Sequence, residues 1–346
     1  MFRSKTLFVV GAGASKEVGL PIGAELKVQI AKKANIQFSD GITQSTGDRV
    51  IGQALRVLSA GKGQQEYNHY FAAMRALHEG MPLSESIDNF LDAHREDEKI
   101  VLCGKLAITQ SILESERKSL LYIDPSSDRL HELDFTQTSS TWYAAFFRIA
   151  AEAIEKGSVE RIFDNVSFVA FNYDRCVEQF LLGALQAYYR LNEQTAVKIV
   201  SRVNIVHPYG VVGWLPWYAR QPSSHFGNSS HNAAKLVEVA SQVRTFTERV
   251  TDESSLQLIR DQVSNAETIV FLGFSFHAQN MELLSPAEAG SCKRVFATVL
   301  GTSSPDKNAI AADVTACLRR SDISIELGDL TCAQLFSEYG RSLRRL

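Results

Sequence analysis

The 346-residue chain has no C-x-x-C pair, and its five cysteines, at 103, 176, 292, 317 and 332, are an odd number and widely spaced. That spacing excludes a structural zinc built from cysteine pairs and argues against a disulfide framework; each cysteine is expected as a small buried apolar residue. No stretch approaches the roughly 20 consecutive apolar residues that span a bilayer. The apolar run near the N-terminus, residues 7–10, is a strand long and too short for the core of a secretory signal, so a cytoplasmic location is expected. Neither sign of charge dominates: 36 Lys and Arg stand against 39 Asp and Glu, a formal net charge of −3. This balance gives no strong electrostatic drive toward nucleic acid or a membrane surface. Internal repeats and low-complexity tracts are also missing. The 45% hydrophobic and 22% charged composition fits an ordinary globular protein, long enough for one large α/β domain or two smaller ones.

What the chain does have is a glycine turn. Residues 7–10 run straight into Gly11-Ala12-Gly13-Ala14-Ser15. A buried strand that breaks into glycines and enters a helix can aim its first N–H groups at an anion. Glycine at 11 and 13 keeps side chains from blocking the approach of a phosphate. The G-x-G-x-x-G fingerprint is not met, because Lys16 stands in the third position and the next glycine is Gly19. A nucleotide-binding loop and a plain strand-to-helix turn both fit at this point.

Beyond the turn, Leu26 and Ile30 are four apart in a segment expected to be helical to about Ala34. Residues 36–63 read as a loop with one short helix. Residues 64–157 show no strand. Tyr67, Tyr70, Phe71, Met74 and Leu77 trace a helical face, and 84–91 and 100–113 read as further helices. Residues 124–138 read as a loop, and Ser140 as the N-cap of a helix burying Tyr143, Phe146, Phe147, Ala150 and Ile154. Strands then alternate with helices: 166–171, 203–206, 268–272, 294–300 and 323–327 are apolar runs, with helices at 175–190, at 308–318 and after Asp329. The expected fold is α/β: a Rossmann-like parallel sheet with helices on both faces from residues 1–35 and 160–346, plus a mainly helical insertion subdomain at 36–159.

Five strands end on small or polar residues, and in an open parallel sheet the ligand crevice lies outside the carboxyl ends of the strands. Their convergence favours the nucleotide-binding reading. Asn172 and Asp174 directly follow a strand, where Asn can orient a water or a ribose hydroxyl; an Asx-turn capping the next helix fits equally. His207 also ends a strand, as a general base or as a hydrogen-bonded structural histidine.

In this order the motifs resemble the sirtuin family. Gly11-Ala12-Gly13-Ala14-Ser15 with Gly19-Leu20-Pro21 is similar to its GAG-x-S-x-x-x-G-[IL]-P loop, and Phe171-Asn172-Tyr173-Asp174 to its Q-N-[IY]-D turn. Val206-His207, Leu272-Gly273-Phe274-Ser275 and Leu327-Gly328-Asp329 are similar to its L-H-G, G-[TF]-S and L-G-D motifs. Ser86-Ile87-Asp88-Asn89-Phe90-Leu91 further resembles a helix of the divergent sirtuin-like proteins of bacterial antiviral defence. The resemblance covers residues 5–23 and about 165–335; the middle matches only loosely. It implies that Gly11, Ala12, Gly13, Ser15 and Pro21 form the loop that binds NAD, with Ala12, Gly13 and Ser15 facing its pyrophosphate. Asn172 would place the nicotinamide ribose or the attacking water, with Asp174 supporting that turn. His207 would take a ribose hydroxyl proton as the glycosidic bond breaks. Gly273 and Ser275 would line the adenosine side, with Asp329 and Leu330 near the adenine.

Three departures set the branch. The two cysteine pairs that hold zinc in deacetylating sirtuins are missing, Ile22-Gly23-Ala24 replaces D-F-R after Pro21, and Pro208-Tyr209 precedes Gly210. Where the zinc module would be stand Trp214-Leu215-Pro216-Trp217-Tyr218 and a Ser/His/Asn loop to about Asn232, readable as a lid, a subunit contact or core. His225 and His231 share that loop without a nearby acidic partner, and no metal is expected. His277 either points into the crevice or caps a helix. The resemblance therefore implies an NAD hydrolase, releasing nicotinamide and ADP-ribose. It would deplete NAD in anti-phage defence by abortive infection, as a homo-oligomer or under a partner such as a sensor or ATPase subunit, and rest in an autoinhibited state. The alternatives are a non-catalytic NAD or ADP-ribose sensor and, disfavoured by the missing cysteines, a protein deacylase.

Overall fold

The structure, a computed structural model, describes residues 1–39, 43–124, 132–229, 232–246, 248 and 253–344. Six parallel strands form the central sheet: β1 (Thr6–Val10), β4 (Val166–Ala170), β5 (Asn204–Val206), β6 (Thr268–Leu272), β7 (Arg294–Thr298) and β8 (Ser324–Gly328), in the spatial order β5-β4-β1-β6-β7-β8. Counted along the chain these six run 3-2-1-4-5-6, the Rossmann order, with its switch point between β1 and β6. A mixed α/β fold built on a Rossmann-like parallel sheet is thus what the apolar runs specified. A small hairpin, β2 (Gln37–Phe38) with β3 (Gln44–Thr46), lies in the stretch expected to be loop. Its strands are too short and polar to show an apolar alternation.

Thirteen helices longer than one turn are described: α1 (Gly23–Ala34), α2 (Arg49–Ser59), α3 (Gln64–Gly80), α4 (Ile87–Ala93), α5 (Glu98–Lys118), α6 (Trp142–Ala151), α7 (Cys176–Tyr189), α8 (Glu193–Val200), α9 (Ala233–Ala240), α10 (Glu253–Asn265), α11 (Ala278–Leu284), α12 (Ser304–Leu318) and α13 (Cys332–Leu343). Their starts follow local capping chemistry. Asp48, Ser86, Asp97, Asn192, Asn232, Ser303 and Thr331 each accept an N–H from the first turn that follows. One start was misread. The N-cap of α6 is Thr141 rather than Ser140, and the Trp142 N–H is taken instead by the Glu17 carboxylate at 2.7 Å. Of the expected loop at 124–138, residues 125–131 lie outside the described residues, and 135–138 form a single helical turn.

Alternation along β1 sorts the helices. Leu7 and Val9 face a core shared with α1 to α5, whereas Phe8 and Val10 face one shared with α6, α7, α8 and α13. The helices between 49 and 118 and helix α6 therefore lie on opposite faces of the sheet, although both fall within residues 36–159. Among the described residues no helix is long and apolar enough to cross a membrane.

Candidate active site

Strands β4, β1 and β6 are in register, so Ala170, Val10 and Leu272 end level. The turns that follow, at Gly11, Asn172 and Gly273, consequently meet at the switch point. The glycines there serve a purpose the sequence did not disclose. A Cβ on Gly11 would sit 2.4 Å from the Gly273 carbonyl oxygen, and one on Gly13 would sit 2.8 Å from the Gly273 Cα. Two backbones pack directly on each other. The N–H groups of Gly11, Gly13 and Ala14 are given to Leu272 O, Gly273 O and Gly11 O at 2.9, 3.0 and 3.0 Å. The loop was expected to aim those groups at a phosphate; three of them instead tie it to its neighbour and to itself.

A cavity of about 630 Å³ opens at this meeting point, between the ends of the strands and α4 of the inserted helices. Pockets for small molecules and cofactors typically span about 300–1,000 Å³. Of the residues singled out from sequence, Gly11, Ala12, Gly13, Pro21, Asn172, Asp174, Gly273, Ser275 and Leu330 line it. Ser15, His207 and Asp329 do not. The Asp329 carboxylate accepts the Gly301 N–H at 2.7 Å and so joins the turns after β7 and β8.

Ser15 is correspondingly a buried hub and not a ligand-facing group. It is 1% exposed, receives the Asn172 Nδ2–H at 3.0 Å and contacts the Tyr143 hydroxyl at 3.3 Å. A hydroxyl has one hydrogen to give and two lone pairs. Ser15 accepts from the Asn172 amide and shares a hydrogen bond with the Tyr143 hydroxyl, so it ties the turn after β4 to α6. Removing the hydroxyl in Ser15→Ala leaves two buried partners short, and a urea titration is expected to show a stability loss of about 1–3 kcal/mol.

Asn172 sits above this hub, 6% exposed. Its Nδ2 also donates to the Gly11 carbonyl at 3.0 Å. Because that carbonyl only accepts, the amide can face it in one orientation. Its Oδ1 is left without a hydrogen-bond partner among the described residues. Asp174 caps α7 through the Cys176 N–H at 3.0 Å, and burial pushes its carboxyl above the usual range against that bond. The Asx-turn alternative for Asn172-Tyr173-Asp174 is seen at Asp174, whereas the Asn172 amide bonds Gly11 and Ser15.

His207 lies behind the turn. Its Nε2 is 2.8 Å from Glu178 Oε1 and its Nδ1 is 3.4 Å from the Asn172 carbonyl oxygen. Burial works to lower its pKa, but the Glu178 charge and hydrogen bond outweigh it, and the net shift is upward. Glu178 was not foreseen. The available signal was a lone carboxylate between Val177 and Phe180 on an otherwise apolar helix, since a buried charge needs a partner.

Other unforeseen residues close the cavity. Asp88 on α4 accepts the hydroxyl of Tyr173, the middle residue of the Asn172 turn. His277 occupies the N-cap position of α11 without a side-chain cap bond and pairs with Glu85 at 3.3 Å across the mouth. Phe171, Tyr173, Tyr209, Phe274 and Phe276 supply an aromatic wall. Glu17 accepts the Ala333 N–H at 2.8 Å as well as that of Trp142, so the N-terminus of α13 beside the cavity already has an anion from within the chain.

The Trp-rich segment packs largely as core: Leu215 and Phe226 are buried, Trp217 packs against the same cluster, and none of Trp214, Leu215, Trp217 or Tyr218 lines the cavity. His231 lies outside the described residues. Among the described residues no group of three or more His, Cys, Asp or Glu is placed to hold a metal ion.

The fold and cavity together define a parallel α/β protein with a cavity at its switch point. Comparison with known proteins adds no family: no protein-family model and no curated protein matches the chain.

Proposed function

We propose that the protein is an NAD hydrolase that cleaves the bond between nicotinamide and ribose, giving nicotinamide and ADP-ribose. The observation carrying this reading is the Asn172 amide, a residue of the cavity lining locked by Gly11 and Ser15, with its Oδ1 buried and unpartnered among the described residues. A fixed acceptor there suits a water or a ribose hydroxyl at the reacting carbon. The aromatic wall suits a flat, cationic leaving group. In the reaction the C1′–N bond breaks with its electron pair going to nicotinamide. Water forms the new C1′–O bond and loses its proton to solvent. The chain's part is to hold the ring, exclude bulk water and place one nucleophile.

The sirtuin-like motifs extend the reading to an NAD-depleting effector in bacterial anti-phage defence, acting as an oligomer or under a partner. The link between Asp88 and Tyr173 supports regulation, because displacing α4 would disturb the turn that carries Asn172. The test is nicotinamide release from NAD by the full chain, alone and with co-purifying proteins. Asn172→Ala is expected to lower kcat by about 10²–10³-fold, the usual effect of losing one preorganised polar group, while NAD still binds. Full activity in that variant would sink the assignment. Binding without turnover under every condition would favour a sensor, and stimulation by an acetyl-lysine peptide a deacylase.

A further inference from the structure

We propose that His207 is a positioning residue that holds the main chain of Asn172 as one half of a buried pair with Glu178, and that it does not receive the substrate's proton. This rests on the hydrolase reading, and it reverses the role that the motif resemblance assigned to the histidine. The geometry is specific. The imidazole is 3% exposed, lies outside the cavity lining, and has both nitrogens engaged by the protein. A carbonyl oxygen only accepts, so Nδ1 carries a hydrogen toward Asn172. An ionised carboxylate also only accepts, so Nε2 carries one toward Glu178. A ring with both hydrogens has no lone pair with which to take a proton.

The surroundings favour that charged form. Glu178 and Asp174 both raise the affinity of the ring for its proton, overcoming burial. The other titratable groups close to the pair are the thiol of Cys176, pushed upward by burial and then by the Asp174 and Glu116 charges, and the phenol of Tyr218, pushed upward by burial and then by the Glu178 charge, so both stay neutral. The nearby Arg175 has its charge bound by Glu116. Glu178 leaves its Oε2 unpartnered among the described residues, so His207 is the group that compensates its buried charge.

Positioning and base catalysis predict opposite pH dependence from the same residue. An imidazolium that holds Asn172 is lost as pH rises, so kcat should fall on the alkaline side through the raised pKa. A base is switched on as pH rises, so kcat should climb through it. Glu178→Gln removes the partner charge and lowers the histidine's pKa. Under the proposal the alkaline limb then moves to lower pH, and kcat between the variant's limb and the wild type's falls by up to about tenfold per pH unit of that displacement while KM for NAD is unchanged. For a base, Glu178→Gln would instead extend activity to lower pH.

The experiment is the pH profile of nicotinamide release for the wild type and Glu178→Gln, with the imidazole and Asn172 side-chain amide signals followed by ¹⁵N NMR in both. The proposal expects the wild-type ring to hold both its hydrogens to higher pH than a free imidazole does, and a displaced Asn172 amide signal in the variant. A wild-type rate that climbs through neutral pH, or an Asn172 amide untouched by Glu178→Gln, overturns it. Should no condition give turnover, the hydrolase reading fails, while the NMR measurement still decides whether the pair positions Asn172.

Discussion

Arg175→Met is expected to destabilise the protein by about 3–5 kcal/mol, because it strands the Glu116 carboxylate in the interior. The two side chains are 1% and 0% exposed. The guanidinium gives Nε to Glu116 Oε1 at 3.0 Å and Nη2 to Oε2 in a two-pronged contact, and its Nη1 reaches the carbonyls of Gly213 and Ser224 at 2.9 and 2.6 Å. Glu116 in turn accepts the Gly227 N–H at 2.9 Å. One buried pair thus ties three separate pieces together: the C-terminal end of α5, the turn that carries Asn172, and the segment from Gly213 to Gly227. Geometry of this kind is where arginine cannot be exchanged for lysine, since lysine offers a point charge in place of a planar fork. The check is chemical denaturation of Arg175→Met, Glu116→Leu and the double variant. The double variant is expected to recover most of the loss, because replacing both charges removes the desolvation penalty together with the pairing. If the double variant is as unstable as Arg175→Met, the stranded carboxylate is not the cause.

That pair also marks how far a sequence reading reaches. The sheet was legible because a strand buried on both faces reads as a near-continuous apolar run, and Thr268–Leu272 is buried throughout with only its first residue polar. The edge at which the cavity opens was legible because five strands end on small or polar residues. What did not show is anything that depends on partners distant in sequence. Glu116 and Arg175 are 59 positions apart, Tyr173 and Asp88 are 85 apart, and Ser15 and Tyr143 are 128 apart. A motif says which residue types recur at a site and is silent on which of them face the ligand. Ser15 and His207 occupy their places in the motifs, yet both lie behind the cavity wall, where they hold Asn172. Helix α6 misled in another way. It lies within a stretch free of strands and so read as insertion, while its Trp142, Phe146 and Tyr143 pack on the far face of the sheet with Phe8 and Phe168.

Gly273→Ala is expected to cost about 2–5 kcal/mol, combining about 1–2 for a left-handed backbone on an L-residue with about 1–3 for overpacking. Gly273 has φ +55°, and a Cβ there would lie 2.2 Å from the Ala14 nitrogen and 2.3 Å from the Gly13 carbonyl carbon. Neither neighbour is the end of a flexible side chain, so the two turns must separate. Separation breaks the bond from the Gly13 N–H to the Gly273 carbonyl and moves the Gly11 carbonyl that orients the Asn172 amide. Stability and nicotinamide release should therefore fall together. Gly301→Ala provides the control, because Gly301 has φ +72° but nothing within 4 Å of a built Cβ. It should show only the backbone term, about 1–2 kcal/mol. Gly11→Ala carries the clash without a positive φ and should hit the same contact from the other side, 2.4 Å from the Gly273 oxygen. Urea midpoints for the three variants, read beside their activity, separate strain from contact. If Gly273→Ala and Gly301→Ala lose equal stability, the close packing of the two turns is not what glycine at 273 provides.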